Sequence, residues 1–253
     1  MKFEVLGRLR VLDGDESSAP SARKIGVLLT ALLIRSNQVV STPQLIAEIW
    51  GQDPPRRATA ALHVYVSQLR KFLKRPGEPE VLLTRPSGYI LQIPCGDLDV
   101  NTFRRLLYQG RNQIREQRHA AAVSSLQAAS ALVHDEELPG NGPVVRGFTT
   151  WLQEVRLECT EMLVESSLGL GRHRELVSVL QSLVSEHPLH EAFYRQLMLA
   201  LYRSDRRADA LQAYQSARAT LDAELALEPC ASLRYLHRAI LLADDRLQLR
   251  VAV

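Results

Sequence analysis

The sequence predicts a mainly α chain with a small β component: an N-terminal winged helix-turn-helix followed by an all-α, tetratricopeptide-like helical domain. Three observations carry that prediction. Three helical stretches run in succession up to residue 75, two β-prone runs joined by a turn follow them, and helical periodicity then continues to the C-terminus with a 34-residue echo. The chain has 253 residues, 46% hydrophobic and 23% charged, enough to bury two ordinary cores and without a compositional sign of disorder. We place the domain boundary at the Pro94-Cys95-Gly96 break, giving domains 1–96 and 97–253.

Residues 21–35, SARKIGVLLTALLIR, read as a first helix. Ser41-Thr42-Pro43 opens a second, because a Ser or Thr side chain can accept the free backbone N–H groups of a first turn and proline is tolerated there. The string GQDPP at 51–55 breaks the chain. A third helix follows, in which Leu62, Val66, Leu69 and Leu73 repeat at i, i+4, i+7 and i+11 and so form one apolar stripe facing a core.

Between Pro54 and Pro76 the chain carries Arg56, Arg57, Arg70, Lys71, Lys74 and Arg75 and no acidic residue. Opposite the stripe lie Arg57, Ala60, Val64, Ser67 and Lys71, flanked by His63, Gln68, Arg70 and Lys74. Small residues let such a helix approach a groove wall, long cations reach phosphates, and Ser, Gln and His hydrogen-bond base edges. Val64 suits a thymine methyl group. The same pattern also describes an ordinary surface helix, a solvated basic face above a core stripe.

Residues 81–85 and 89–93, VLLTR and YILQI, are β-prone and are joined by Pro86-Ser87-Gly88, a hairpin signal. Three helices and a hairpin make a winged helix-turn-helix, whose third helix enters the major groove while the hairpin touches nearby backbone. Arg85 is the cation at the hairpin tip. Arg23 and Lys24, at the start of the first helix, either contact the DNA backbone or are simply exposed.

Past a short boundary, helical periodicity predicts helices over 99–117, 118–133, 149–170, 172–186, 189–204, 206–221 and 231–243, with a Pro/Gly loop at 135–146. Gly171-Arg172-His173 and Asp205-Arg206-Arg207 begin similar helices 34 residues apart, the tetratricopeptide period, and Ala208, Ala210, Ala213 and Tyr214 alternate small and large as nesting helix pairs do. The expected array offers an extended protein-binding face. The alternative is a compact bundle that only supports the first domain.

Charge is unevenly spread. Residues 1–96 hold 13 Lys and Arg against 8 Asp and Glu, and the remainder holds 18 against 20. That local excess suits a phosphate backbone, where counterion release makes binding fall with salt. No long apolar run predicts a membrane span or signal peptide, so the expected location is the cytoplasm, with the nucleoid. Cys95, Cys159 and Cys230 are odd in number and widely separated, which suggests reduced, structural thiols. No phosphate-binding G-x-x-x-x-G-K-[ST] loop or G-x-S-x-G turn occurs, and the nearest histidines, His187 and His190, straddle Pro188 without a carboxylate arranged around them. We therefore expect no enzyme, no cofactor and no metal.

The opening MKFEVLGRLRVLDG, the run VVSTPQLIAEIWG, the string TAALHVYVSQLRKFL and the hairpin TRPSGYIL together resemble the OmpR-type winged helix that begins the Streptomyces antibiotic regulatory proteins, the SARP family. The stretch GRHRELVSVLQSLVSEHPLHEAFYRQLMLALYRSDRRADALQAYQSARATLDAELALEP resembles that family's bacterial transcriptional activation domain (BTAD), and the two cover nearly the whole chain. The resemblance implies N-terminal strands at Phe3-Glu4-Val5-Leu6 and Leu9-Arg10-Val11-Leu12. On LRKFL it makes Arg70 and Lys71 phosphate ligands, puts Ala60, His63, Val64, Ser67 and Gln68 at base-facing positions, and makes Arg85 the wing arginine. Related helices carry more arginine at the positions of Ser67 and Gln68, so shape readout has a larger expected share here. Trp50 either reaches a phosphate or packs between helices two and three.

The implied function is a sequence-specific transcriptional activator, pathway-specific for an antibiotic or other secondary-metabolite cluster in an actinomycete. It would bind direct repeats near promoters in double-stranded DNA, as a side-by-side homodimer, and recruit RNA polymerase holoenzyme. Some larger relatives append an ATPase module; this chain reads as a short, stand-alone form without a receiver domain. Two alternatives stay open: a protein-interaction scaffold whose basic helix meets an acidic partner, and a repressor on the same fold.

Overall fold

The structure, a computed structural model, describes residues 1–248 and divides into two compact units. One comprises residues 1–107 with 128–157; the other comprises 108–127 with the described residues from 158 on.

The first unit opens with a three-stranded antiparallel sheet, β1 (Lys2–Glu4), β2 (Arg10–Asp13) and β3 (Glu16–Ser18), in that order. Its register pairs Phe3 with Val11 and Val11 with Ser18. The helix α1 (Arg23–Ile34) follows; every residue from Ile25 to Leu33 is buried, as expected of a helix apolar on all sides and placed at the centre. β4 (Val39–Ser41) leads into α2 (Thr42–Trp50), whose start is a capping box. Gln44 N–H donates to Ser41 Oγ at 3.3 Å and Ser41 N–H donates to Gln44 Oε1 at 3.0 Å. Gly51, at φ 64°, ends α2.

α3 (Ala58–Leu73) buries Ala58, Leu62, Val66, Leu69 and Leu73, the foreseen stripe lengthened by one turn. Each large apolar side chain of the stripe contributes about 1.5–3 kcal/mol of transfer free energy, so its inner face anchors the helix strongly while its outer face remains free to vary. β5 (Leu82–Arg85) and β6 (Gly88–Leu91) form the hairpin across Pro86 and Ser87.

The wing is a three-stranded sheet ordered β4-β6-β5, where sequence reasoning expected a two-stranded hairpin. β4 is only three residues long, too short for its alternation to register. Its pairing explains Gly88. A Cβ there would lie 2.0 Å from Val40 O and 2.8 Å from Ser41 Cα, so a side chain would force β4 and β6 apart. Thr42 N–H donates to Ser87 O at 3.2 Å, and Asn37 exchanges two side-chain hydrogen bonds with the Ile93 backbone, at 2.9 and 3.1 Å. The wing is thus fastened to the start of α2 and to the turn after α1.

After a 3-10 turn at Cys95–Asp97 come α4 (Asp99–Arg115), α5 (His119–Ser130) and α6 (Pro143–Gly169), each contributing to both units. Asp99 Oδ2 accepts the N–H groups of Val5 and Leu6 at 2.8 and 2.9 Å, and Oδ1 that of Val100 at 2.7 Å. Burial raises its carboxyl to about 6, against those three bonds.

α6 begins at Pro143, six residues before the Thr149 start that periodicity suggested. The reason lies 96 residues away: the buried Glu48 carboxylate on α2 accepts the N–H of Val144, which caps the helix from outside. Burial raises the Glu48 carboxyl, while backbone bonds from Val144 and Val145 and the charges of Arg146 and Arg35 oppose that rise.

In the second unit α7 (His173–Glu186), α8 (Glu191–Arg203), α9 (Arg207–Leu225) and α10 (Ala231–Leu241) pack around a core that includes Val177, Leu180, Tyr194, Met198, Leu201, Tyr214 and Leu236. α7 and α9 start 34 residues apart, as the repeat signal required. Ala210 and Tyr214 are buried and Ala213 half-buried, but Ala208 faces solvent in the first turn of α9 and takes no part in the nesting. Arg203 Nε donates to Leu247 O at 2.8 Å and its Nη1 to Leu168 O at 3.2 Å, which ties the end of α6 and the 3-10 turn at Asp245–Leu247 to α8. Cys159 is buried beside Leu126 O, whereas Cys95 and Cys230 are exposed free thiols, the latter 3.1 Å from Ser232 Oγ. Among the described residues no helix is long and apolar enough to cross a membrane.

Candidate nucleic-acid interface

The solvent side of α3 presents Ala60, His63, Val64, Ser67, Gln68, Lys71 and, just past its end, Lys74, all exposed. Ala60, Val64, Ser67 and Lys71 recur at helical spacing, so they form a single line down a helix about 24 Å long. Val64, 53% exposed, is the one large apolar side chain on that line, and such exposure costs free energy unless something covers it.

Arg56 and Arg57 are exposed at the head of the helix, where Arg57 occupies the N-cap position without a side-chain cap bond. The first-turn N–H groups of α3 and two guanidinium groups thus share one end, an arrangement that favours an anion. Arg85 is exposed at the wing turn, and no acidic residue lies on α3.

Two cations of the segment point elsewhere. Arg70 donates from Nε to Leu82 O at 3.0 Å and from Nη2 to Thr84 Oγ1 at 2.8 Å, and Nε also lies 2.6 Å from Glu80 Oε1. Arg75 pairs with Asp13 at the end of β2 and donates to Phe72 O at 3.0 Å and Lys74 O at 3.1 Å, which closes the C-terminal end of α3. A groove of about 380 Å³ runs beside the last turns of α3, with Ser67, Lys71 and Lys74 on one wall and Glu78 and Glu80 on the other.

Trp50 is half-buried and stacks on Tyr65 of α3, with ring centroids 5.8 Å apart and planes at 25°. Lys24 Nζ sits 5.2 Å from the Trp50 ring centroid. Both residues therefore belong to the α1–α2–α3 junction, whereas the exposed Arg23 lines a cleft with Arg8, Pro20, Glu136 and Glu137. Sequence reasoning missed Glu80 and Thr84 as partners of Arg70 and Ser87 as the acceptor that fastens the wing. No local pattern marks these, because each contact depends on how the hairpin folds back.

Outside this surface His187 and His190 both pack against Phe193, and His190 N–H donates to His187 O at 3.0 Å. The His190 ring is tilted 43° to Phe193 with centroids 4.3 Å apart, and its Nε2 lies 3.5 Å from Glu161 Oε2, so a carboxylate does stand beside this pair, brought there from α6 where sequence spacing could not show it. Among the described residues no three His, Cys, Asp or Glu side chains gather as a metal site would require.

Comparison with known proteins agrees with this layout. A family described as "Bacterial transcriptional activator domain" matches residues 98–241, and one described as "Transcriptional regulatory protein, C terminal" matches residues 21–91. The chain is 34% identical to the regulatory protein DnrI of Streptomyces peucetius, over 96% of this chain and 93% of DnrI. It is also 34% identical to the regulatory protein AfsR of Streptomyces griseus, over 98% of this chain but only 25% of AfsR, so it spans a quarter of that relative's length. A solved structure of Mycobacterium tuberculosis EmbR, in complex with a low-affinity phosphopeptide, superimposes with a TM-score of 0.87 at 32% identity, covering 96% of this chain and 65% of EmbR. An OmpR-type winged helix ahead of a BTAD, shared along nearly all of DnrI, means that this chain belongs to the SARP family of transcriptional regulators.

Proposed function

We propose that this protein is a sequence-specific DNA-binding transcriptional activator, acting in the cytoplasm on promoters of a secondary-metabolite gene cluster. The observation that carries the reading is the acid-free outer line of α3, bounded by Arg56 and Arg57 at its start and by Lys74 just past its end, with the exposed wing arginine Arg85 one residue after the Thr84 that Arg70 holds. A duplex presents a groove between two phosphate rows, and this surface offers adaptable side chains between cationic ends. Ala60, His63, Val64, Ser67 and Gln68 face the bases; Arg56, Arg57, Lys71, Lys74 and Arg85 meet phosphates. Residues 1–96 do the reading, and 97–253 supply the face that meets RNA polymerase holoenzyme and a second protomer bound side by side on a direct repeat. Trp50, Lys24 and Arg23 support α3 from behind or approach the DNA backbone at its edge.

Mobility-shift titration with promoter fragments at two salt concentrations tests this, comparing wild type with Lys71→Ala and Arg85→Ala. Both substitutions weaken binding and flatten its salt dependence by about one unit of slope if each residue meets one phosphate. Unchanged binding in both variants overturns the assignment of this face. Transcription in vitro from the same fragments then separates activation from repression.

A further inference from the structure

We infer that Arg70 is a positioning residue for the wing: the Arg70–Glu80–Thr84 cluster fixes the distance between α3 and Arg85, and Arg70 itself meets no phosphate. The inference rests on the DNA-binding reading above. It changes the role of the residue that, by sequence alone, looks most like a phosphate ligand.

Arg70 contacts three oxygens, Leu82 O at 3.0 Å, Thr84 Oγ1 at 2.8 Å and Glu80 Oε1 at 2.6 Å, and all belong to β5 or the segment leading into it. A guanidinium is a rigid planar fork, so contacts made from two of its nitrogens restrain orientation as well as distance. Thr84 immediately precedes Arg85 in the same strand, and Arg85 pairs with Gly88 in the hairpin register. The restraint therefore acts one residue from the wing cation. The far side of the hairpin is held by β4, through the Ser41–Gly88 pair and the Thr42–Ser87 bond. β5 is an edge strand of this sheet, and beside the buried Leu82 it is Arg70 that fastens that edge to α3 by hydrogen bonds.

Energetics point the same way. The Arg70 and Glu80 side chains are 31% and 55% exposed, and a pair so open to solvent adds little to folding stability. Its effect is on geometry. Turning Arg70 towards a phosphate would give up three short contacts for one, and Glu80 would be left as an unpaired anion beside the DNA. Arg75, held by Asp13 and two carbonyls, shows the same diversion of a cation of this segment to internal work.

The test is a double-mutant cycle on promoter DNA with the full chain, using Arg70→Ala, Arg85→Ala and the pair, with Lys71→Ala and Arg85→Ala as the reference cycle. If Arg70 acts through the wing, the pair binds within about twofold of Arg85→Ala alone, and the salt slope falls by about one in either single variant and in the pair. The Lys71 and Arg85 losses multiply, and their slopes fall by about two together. Arg70→Lys keeps the charge but not the fork, so it behaves like Arg70→Ala. Multiplicative losses for Arg70 and Arg85, or full rescue by lysine, overturn the inference. A DNA-free arm keeps it falsifiable apart from the functional reading: amide exchange at Leu83–Arg85 accelerates in Arg70→Ala while Leu62–Leu69 stay protected. Unchanged exchange in the wing also overturns it. Wild type that fails to prefer its promoter overturns the functional reading instead, whatever the exchange shows.

Discussion

Replacing Gly88 with alanine puts one methyl group where the wing has no room. The added carbon would stand 2.0 Å from Val40 O, 2.9 Å from Val40 C and 2.8 Å from Ser41 Cα, all backbone atoms that no rotamer change can move aside. Relief requires β4 and β6 to separate by about 1.4 Å, the gap between 2.0 Å and an ordinary contact of about 3.4 Å, which breaks the Ser41–Gly88 pairing and strains Val40–Tyr89. Overpacking of this kind costs about 1–3 kcal/mol, and one or two lost ladder bonds add about 1 kcal/mol each. The expected destabilisation is therefore about 2–5 kcal/mol, a fall in Tm of roughly 5–20 °C. Gly96→Ala is the control, because a Cβ at Gly96 meets nothing within 4 Å. Thermal unfolding followed by circular dichroism reads the difference, and promoter titration below Tm reads the displaced wing as weaker binding. If Gly88→Ala unfolds within a degree of Gly96→Ala and binds DNA as wild type does, the reasoning about the wing is wrong.

Further outcomes follow from individual contacts. Glu48→Ala removes the external cap of α6 and costs about 0.5–2 kcal/mol, read as faster amide exchange at Val144 and Val145; unchanged exchange contradicts the capping role. For Asp99 the folded carboxyl is raised to about 6 from 3.8, so the unfolded chain loses its proton first. Stability from this group is full below about pH 3.8 and is lost as pH rises through 6, by at most about 3 kcal/mol. Urea unfolding at pH 5 and pH 7 measures that slope, and Asp99→Asn abolishes it. Val64→Ala weakens promoter binding by about 1 kcal/mol if Val64 covers a thymine methyl, and replacing thymine with uracil in the site erases the difference between the two proteins.

The elements that could be read from sequence are those whose signal is local and periodic. Leu62, Val66, Leu69 and Leu73 specified both the helix and the face it buries, because a 3.6-residue period leaves one solution. The Ser41 cap announced α2, and the Pro86–Ser87 turn announced the hairpin. The spacing of His173 and Arg207 announced the repeat. Contacts between distant segments left no such trace. Glu48 and Val144 are 96 residues apart, so nothing near residue 143 showed that a helix could start there. β4 took its meaning only from pairing with β6. The cationic segment was legible as a composition, but the diversion of Arg70 and Arg75 was not, since charge in a sequence carries no direction. The contacts of Trp50 with Tyr65 and Lys24 left no trace either, because they join three separate helices.

The central claim is that the outer face of α3 reads a duplex with the wing beside it. Nuclease footprinting of the purified protein on its own promoter, at physiological ionic strength and against excess random-sequence competitor, tests it most directly. The account predicts protection of discrete repeated segments that survives competitor at least ~10³-fold better than protection of unrelated DNA. Protection that spreads evenly along the fragment and disappears with equal amounts of competitor would contradict it.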